Sequence, residues 1–158
     1  MPSSSFPEHA MQWSPELSIG SAPLDAAHRR CITALAQLGT APDHQYQLRL
    51  RALCDTLQAG FDEEEQMMAN IGFPERATHC AQHSRVLSAL QEVASLAGAR
   101  DWSGARALVA LLPHWFVFHW VRMDTTLVMA AASVAAGRPL APPPQRPLHT
   151  GLDGRAAC

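Results

Sequence analysis

Residues 43–71 read DHQYQLRLRALCDTLQAGFDEEEQMMANI. Within them Leu50, Leu53, Leu57, Gly60, Phe61, Glu64, Met67 and Met68 recur at steps of three and four. That is the period of one helix face, not of a strand. Asp43 suits the N-cap, and Gly72 follows the last periodic residue, where a left-handed residue commonly closes a helix. The stretch therefore predicts a helix from Asp43 to Ile71, with the carboxylate of Glu64 inside its apolar stripe. An ionised carboxylate is costly to bury unless a cation or strong donors meet it. The other reading rotates the helix and leaves Asp62, Glu63, Glu64 and Glu65 as a solvated acidic patch.

The same period extends on both sides. Before it, Leu24, His28, Cys31, Ile32, Leu35 and Leu38 mark a helix from after Pro23 to about Gly39. After it, Phe73-Pro74 restarts the chain, Pro74 suiting a first helical turn. His79, His83, Val86, Leu87, Leu90 and Val93 then share a face until Gly98. A last helix is expected from Asp101 or Ser103 to about Ala136. Pro113 should kink or break it, because proline lacks the N–H that the helix uses. No alternating apolar–polar run is present. Four helices with short connections define an all-α, antiparallel up-and-down four-helix bundle. The expected organisation is an N-terminal arm at 1–22, the bundle at 23–136 and a proline-rich tail at 137–158. The tail has too little to bury to repay the entropy of ordering it.

Composition agrees with one domain: 158 residues with 47% hydrophobic content can build a single core. The net charge of −2 and the scattered basic residues argue against nucleic acid or an anionic lipid surface as partner. The opening MPSSSFPEHAMQW lacks a basic stretch followed by an apolar run, and the longest apolar stretch is interrupted by Pro113, His114, His119, Arg122 and Asp124. A cytoplasmic protein that does not enter the membrane is expected. Cys31, Cys54, Cys80 and Cys158 lack CxxC spacing and read as reduced thiols.

His79 and His83 lie one helical turn apart and could bind one metal through two imidazoles, although an isolated HxxxH pair is as often incidental. Met67, Met68, Met123 and Met129 read as adaptable core, and Cys80 as pointing away from the histidine face. His9, His44, His114 and His149 fit no pattern.

DAAH at 25–28, FDEEEQMM at 61–68, GFP at 72–74, HCAQH at 79–83 and WFVFHWVRMD at 115–124 follow one another in the order found in hemerythrins. From Trp13 to about Val128 the chain resembles a bacteriohemerythrin. The resemblance implies two iron ions, with His79, His83 and His119 on one, His28 on the other, and Glu64 and Asp124 bridging them. The pairing of His119 with Asp124 rests on the resemblance alone, since five residues are about 140° apart on an ideal helix. Imidazole and carboxylate donors also suit manganese or zinc. A pocket for dioxygen or another small diatomic ligand would involve Gly60, Phe61, Trp115, Phe116 and Trp120. For Trp115 and Phe116, ordinary core is the simpler reading.

One position departs from the family pattern. Four residues before the bridging glutamate the family has a histidine, and here stands Gly60. Water could fill the vacancy, Glu63 or another donor could bend inward, or only the three-histidine ion could remain. Glycine within a helix costs about 0.5–1 kcal/mol relative to alanine, so a packing demand or relaxed selection underlies it. Trp120 could occupy the volume of the missing imidazole. The expected function is a binding protein rather than an enzyme: a carrier, store or sensor of dioxygen. The alternatives are a di-metal redox enzyme acting on oxygen, peroxide or nitric oxide, and a degenerate bundle with one metal or none that serves structure or partner binding. No protein partner is identified.

Overall fold

The computed structural model describes residues 11–96 and 102–142. Its elements are a 3-10 turn at Pro15–Leu17 and the helices α1 (Ala22–Gly39), α2 (Asp43–Ile71), α3 (Arg76–Leu96), α4 (Ser103–Val109), α5 (Leu112–His119) and α6 (Thr125–Ala135). A π-helical segment, Trp120–Asp124, joins α5 to α6. No strand occurs among the described residues. The fold is an all-α four-helix bundle whose fourth rod is assembled from α4, α5, the π segment and α6. No helix among the described residues is long and apolar enough to cross a membrane. The expected flexible tail lies outside the described residues from 143 onward, as do Gly98, Asp101, His9, His149 and Cys158.

Local chemistry sets the helix ends. At the C-terminus of α2, Gly72 adopts φ 62°, and its N–H reaches the Ala69 carbonyl at 3.3 Å while Phe73 N–H reaches that of Met68 at 2.9 Å. These two bonds satisfy carbonyls that the helix leaves open, and Phe73 packs in one cluster with Met68. The N-cap of α2 is Pro42 rather than Asp43, which is the first helical residue. The Asp43 side chain instead accepts a bond from Arg106 at 2.7 Å, tying α2 to the fourth rod. Pro74 sits in a turn just before α3 rather than in its first turn. The fourth rod does break near Pro113: Ala110 and Leu111 interrupt it, and α5 restarts with the proline in its opening positions, where a missing N–H is harmless. A second irregularity, the π segment, has no counterpart in the expected continuous helix.

Two apolar clusters fill the bundle. The larger contains Cys31, Ile32, Leu35 and Leu38 of α1, Leu50, Leu53, Leu57 and Phe61 of α2, Leu87 and Leu90 of α3, and Phe116 and Trp120 of the fourth rod. The smaller contains Leu24, Met68, Phe73 and Leu127. Burying each such leucine contributes about 1.5–3 kcal/mol. Where these clusters approach one another each rod carries buried polar residues: His28, Glu64, His79 with His83, and His119 with Asp124. The helices thus close a polar layer between two apolar plugs.

Candidate metal centre

Each rod delivers its donors by its own route. On α1, His28 continues the stripe that begins at Leu24, and the helix entry is fixed by Asp25. That carboxylate accepts bonds from the Ser18 hydroxyl at 2.6 Å and the Ile19 N–H at 3.0 Å. On α2 the acidic run is split: Asp62 and Glu63 are exposed and Glu65 is partly buried, whereas Glu64 points inward and is 2% exposed. The rotated-helix reading is therefore excluded for Glu64. On α3 the regular turn sets His79 and His83 on one side, both 1% exposed. On the fourth rod the N–H of Thr125 bonds to the carbonyl of Trp120, five residues back. Such an i→i+5 bond inserts one extra residue into a turn, so residues five apart come to share a face. This is how His119 and Asp124 meet although an ideal α-helix would separate them.

The six side chains converge. His119 Nε2 lies 3.2 Å from His79 Nε2 and 3.1 Å from His83 Nε2. Glu64 Oε2 lies 3.2 Å from His79 Nε2 and 3.1 Å from His83 Nε2, and Asp124 Oδ1 lies 3.1 Å from His79 Nε2 and 3.2 Å from His119 Nε2. The other oxygen of each carboxylate turns toward α1: Asp124 Oδ2 is 3.1 Å, and Glu64 Oε1 4.0 Å, from His28 Nε2. Glu64, His79, His83 and His119 form one group able to hold a metal ion, and His28, Glu64 and Asp124 form a second.

The donor set fits metal ions better than it fits a hydrogen-bond network. Three imidazole nitrogens face one another, and a proton can serve only one such pair at a time. Asp124 Oδ1 is near two nitrogens yet makes no aligned hydrogen bond, so these atoms aim at a point between them rather than at one another. For metal–ligand bonds of about 2.1 Å, donors at right angles around an ion lie roughly 3.0 Å apart, close to these separations. On the far side of His83, Nδ1 meets Glu65 Oε1 at 3.1 Å. A carboxylate there fixes the ring and leaves Nε2 as the donor, as outer partners of metal-binding histidines do. The sequence contained this signal only as one more acid in a run.

Electrostatics repeat the point. Burial pushes the Glu64 carboxyl up, but the imidazoles of His119, His79 and His83 outweigh it and hold the group at about 2. Asp124 is likewise lowered, burial being outweighed by His119, His28 and His79. Burial pushes His79 down, yet Asp124 and Glu64 raise it to about 9, and His119 is raised by the same two partners. Burial, with Glu64 nearby, pushes the Cys31 thiol up to about 12, so it stays protonated.

Each of the four clustered imidazoles has an aromatic neighbour. Phe61 stacks on His83 at 3.8 Å, Trp115 on His119 at 4.5 Å and Trp120 on His28 at 4.1 Å, while Phe73 meets His79 edge-on at 6.4 Å. Phe116 is fully buried and stacks on Trp120 at 5.2 Å. Trp115 is thus more than ordinary core, whereas Phe116 is core that backs Trp120. At Gly60 an added Cβ would meet, among the described residues beyond its own helix, only the Ala27 Cβ at 3.7 Å, an ordinary contact, so packing does not demand glycine there. Trp120 is buried, as the volume-filling idea requires. Glu63 does not bend inward; it pairs with Arg30 at 2.7 Å, and both side chains are about half exposed. Cys31, Cys54 and Cys80 are free thiols, and His44 and His114 are exposed and apart from the cluster.

Fold and cluster together define a class, a helical bundle with a buried imidazole–carboxylate centre of metal-binding type. A bacteriohemerythrin from Ralstonia nicotianae (strain ATCC BAA-1114 / GMI1000) is 33% identical over 114 residues, which cover 72% of this chain and 83% of that protein. The chain belongs to the hemerythrin-like family. No protein-family model and no solved structure matches it.

Proposed function

We propose that this chain is a non-haem iron protein that binds dioxygen, or another small diatomic ligand, as a carrier, store or sensor rather than as an enzyme. In this reading His79, His83 and His119 hold one ion, His28 holds the other, and Glu64 and Asp124 bridge them. The observation that carries it is the division of both carboxylates, each with one oxygen toward the three histidines and the other toward His28. Iron held there would, in its reduced state, supply the electrons that dioxygen binding requires. The chain's own part is to fix four imidazoles, shield them from water with Phe61, Phe73, Trp115 and Trp120, and supply negative charge that offsets the ions. Residues 23–136 form the functional unit in this proposal, flanked by the arm and the tail.

The test is to load the full chain with iron(II) without oxygen, admit oxygen, and follow the visible absorption. A new band that disappears when oxygen is removed supports reversible binding. Continuous oxygen consumption with a reductant, and no reversible band, would replace the carrier by the redox-enzyme reading, which the sparse donors beside His28 favour. His83→Ala is expected to lose the three-histidine ion while keeping the helical signal. Unchanged metal content in that variant rejects the ligand assignment.

A further inference from the structure

The two ends of the centre are unequally built. Toward the α3 side converge His79 Nε2, His83 Nε2, His119 Nε2, Glu64 Oε2 and Asp124 Oδ1. Toward α1 there are His28 Nε2, Glu64 Oε1 and Asp124 Oδ2. Gly60, one turn before Glu64 on the same face, offers no donor, and a Cβ added there would meet Ala27 alone among the described residues beyond its own helix. Of the carboxylates that follow it, Asp62 is exposed and accepts a bond from Gln58 at 2.8 Å, and Glu63 is held outside by Arg30. Trp120 lies parallel to His28, 17° between planes, so a ring face without a lone pair covers that imidazole.

Charge sharpens the difference. The two carboxylates carry two negative charges between them, which one divalent ion neutralises. A second divalent ion leaves an uncompensated double charge among side chains that are 0–2% exposed, which is costly unless water or an anion completes its shell. One imidazole, two carboxylate oxygens and solvent form an oxygen-weighted set, the kind that suits manganese(II) alongside iron(II), whereas three imidazoles favour ions later in the transition series.

We propose that this chain holds its two ions unequally: one is retained at His79, His83 and His119, and the other is exchangeable at His28 and accepts manganese(II) as well as iron(II). The inference rests on the metal-centre reading above, and makes any ligand chemistry that needs both ions depend on the supply of the second. Restoring a histidine at position 60 should remove the inequality. The new Cβ fits against Ala27, and its imidazole would add a fourth donor to the weak end once the Trp120 ring stacked on His28 shifts to admit it.

To test this, the full chain is loaded anaerobically with excess iron(II), desalted through a weak chelator, and assayed for metal per chain. One retained ion is expected. Adding manganese(II) should then restore a second ion, read from the loss of the free manganese(II) paramagnetic resonance signal, with an affinity weaker than that of the retained ion. His28→Ala should abolish this second event and leave the retained ion in place. Gly60→His should retain two ions. Should that variant not fold, wild-type stoichiometry and His28→Ala decide the matter alone. Two ions retained by the wild type, or loss of the retained ion in a folded His28→Ala, overturn the inequality and leave the metal centre standing. Retention of none overturns the metal centre itself.

Discussion

α3 and the fourth rod bring donors to the same point by opposite means. α3 is regular, and its two histidines co-face because four residues make about one turn. The two donors of the fourth rod stand five positions apart and share a face only because the backbone leaves α geometry, with Thr125 N–H bonding to Trp120 and the Thr125 hydroxyl reaching that same carbonyl at 3.1 Å. A π turn is rare and is retained where surrounding contacts hold it. Here Trp120 is clasped between Phe116 and His28, and Asp124 by three imidazoles. Distance along the chain and position on a face are different quantities, and the backbone converts one into the other.

The sharpest way to break the comparison is to give both rods a lesion of one residue. An alanine inserted between Ala81 and Gln82 moves the α3 histidines to five apart in a helix that has no π turn, and is expected to remove bound metal completely. Deleting Val121, which is 54% exposed, should collapse the π turn into ordinary α-helix. His119 and the aspartate then stand four apart, still on one face, so most of the metal is expected to remain. Elemental analysis beside far-ultraviolet circular dichroism measures both. Equal loss in two folded variants would show that the π turn does more than set phase.

This contrast also marks how far the residue pattern could be read. The helices at 43–71 and 24–39, and the inward placement of His28, Glu64, His79 and His83, follow from a period of 3.6 because those segments stay regular. Asp124 does not follow from that period, since the register shift that turns it inward is made by the backbone between the two donors; only likeness to a family pointed to it. Glu65 was equally hidden. Its neighbours Asp62 and Glu63 are exposed, and nothing in a run of acids tells which one reaches across to α3. Asp25, which latches the arm onto α1, was visible only as part of the DAAH match.

A smaller effect is expected at Glu65, which orients a donor of the regular rod from outside. Glu65→Ala frees His83 Nδ1 and should lower metal affinity by about 10–100-fold. Glu65→Gln, which keeps an acceptor oxygen, should lose less. Competition with a chromogenic chelator gives both numbers. Equal affinities in wild type and Glu65→Ala would reduce the 3.1 Å contact to a surface pairing.

Least in size, and informative about how the regular and irregular rods stay together without metal, is the effect of pH on the metal-free chain. Glu64 falls from an ordinary 4.5 to about 2, so its contribution is complete above 4.5 and is lost as pH drops toward 2. Asp124 is lowered too and acts in the same direction. His79 rises from 6.5 to about 9, so its contribution is complete below 6.5 and is lost as pH climbs through 9. His119, also raised, follows it. Metal-free protein should therefore have its highest Tm between the ordinary carboxylate and imidazole values and decline on both sides, each kcal/mol lost lowering Tm by roughly 2–4 °C in a chain of this size. A metal ion must displace the imidazole protons, so the Tm gain on adding metal should grow from pH 6 to pH 8. A metal-free Tm that stays level up to pH 9 would mean that apolar packing, not the pairing of His79 and His119 with Asp124 and Glu64, holds α3 against the fourth rod.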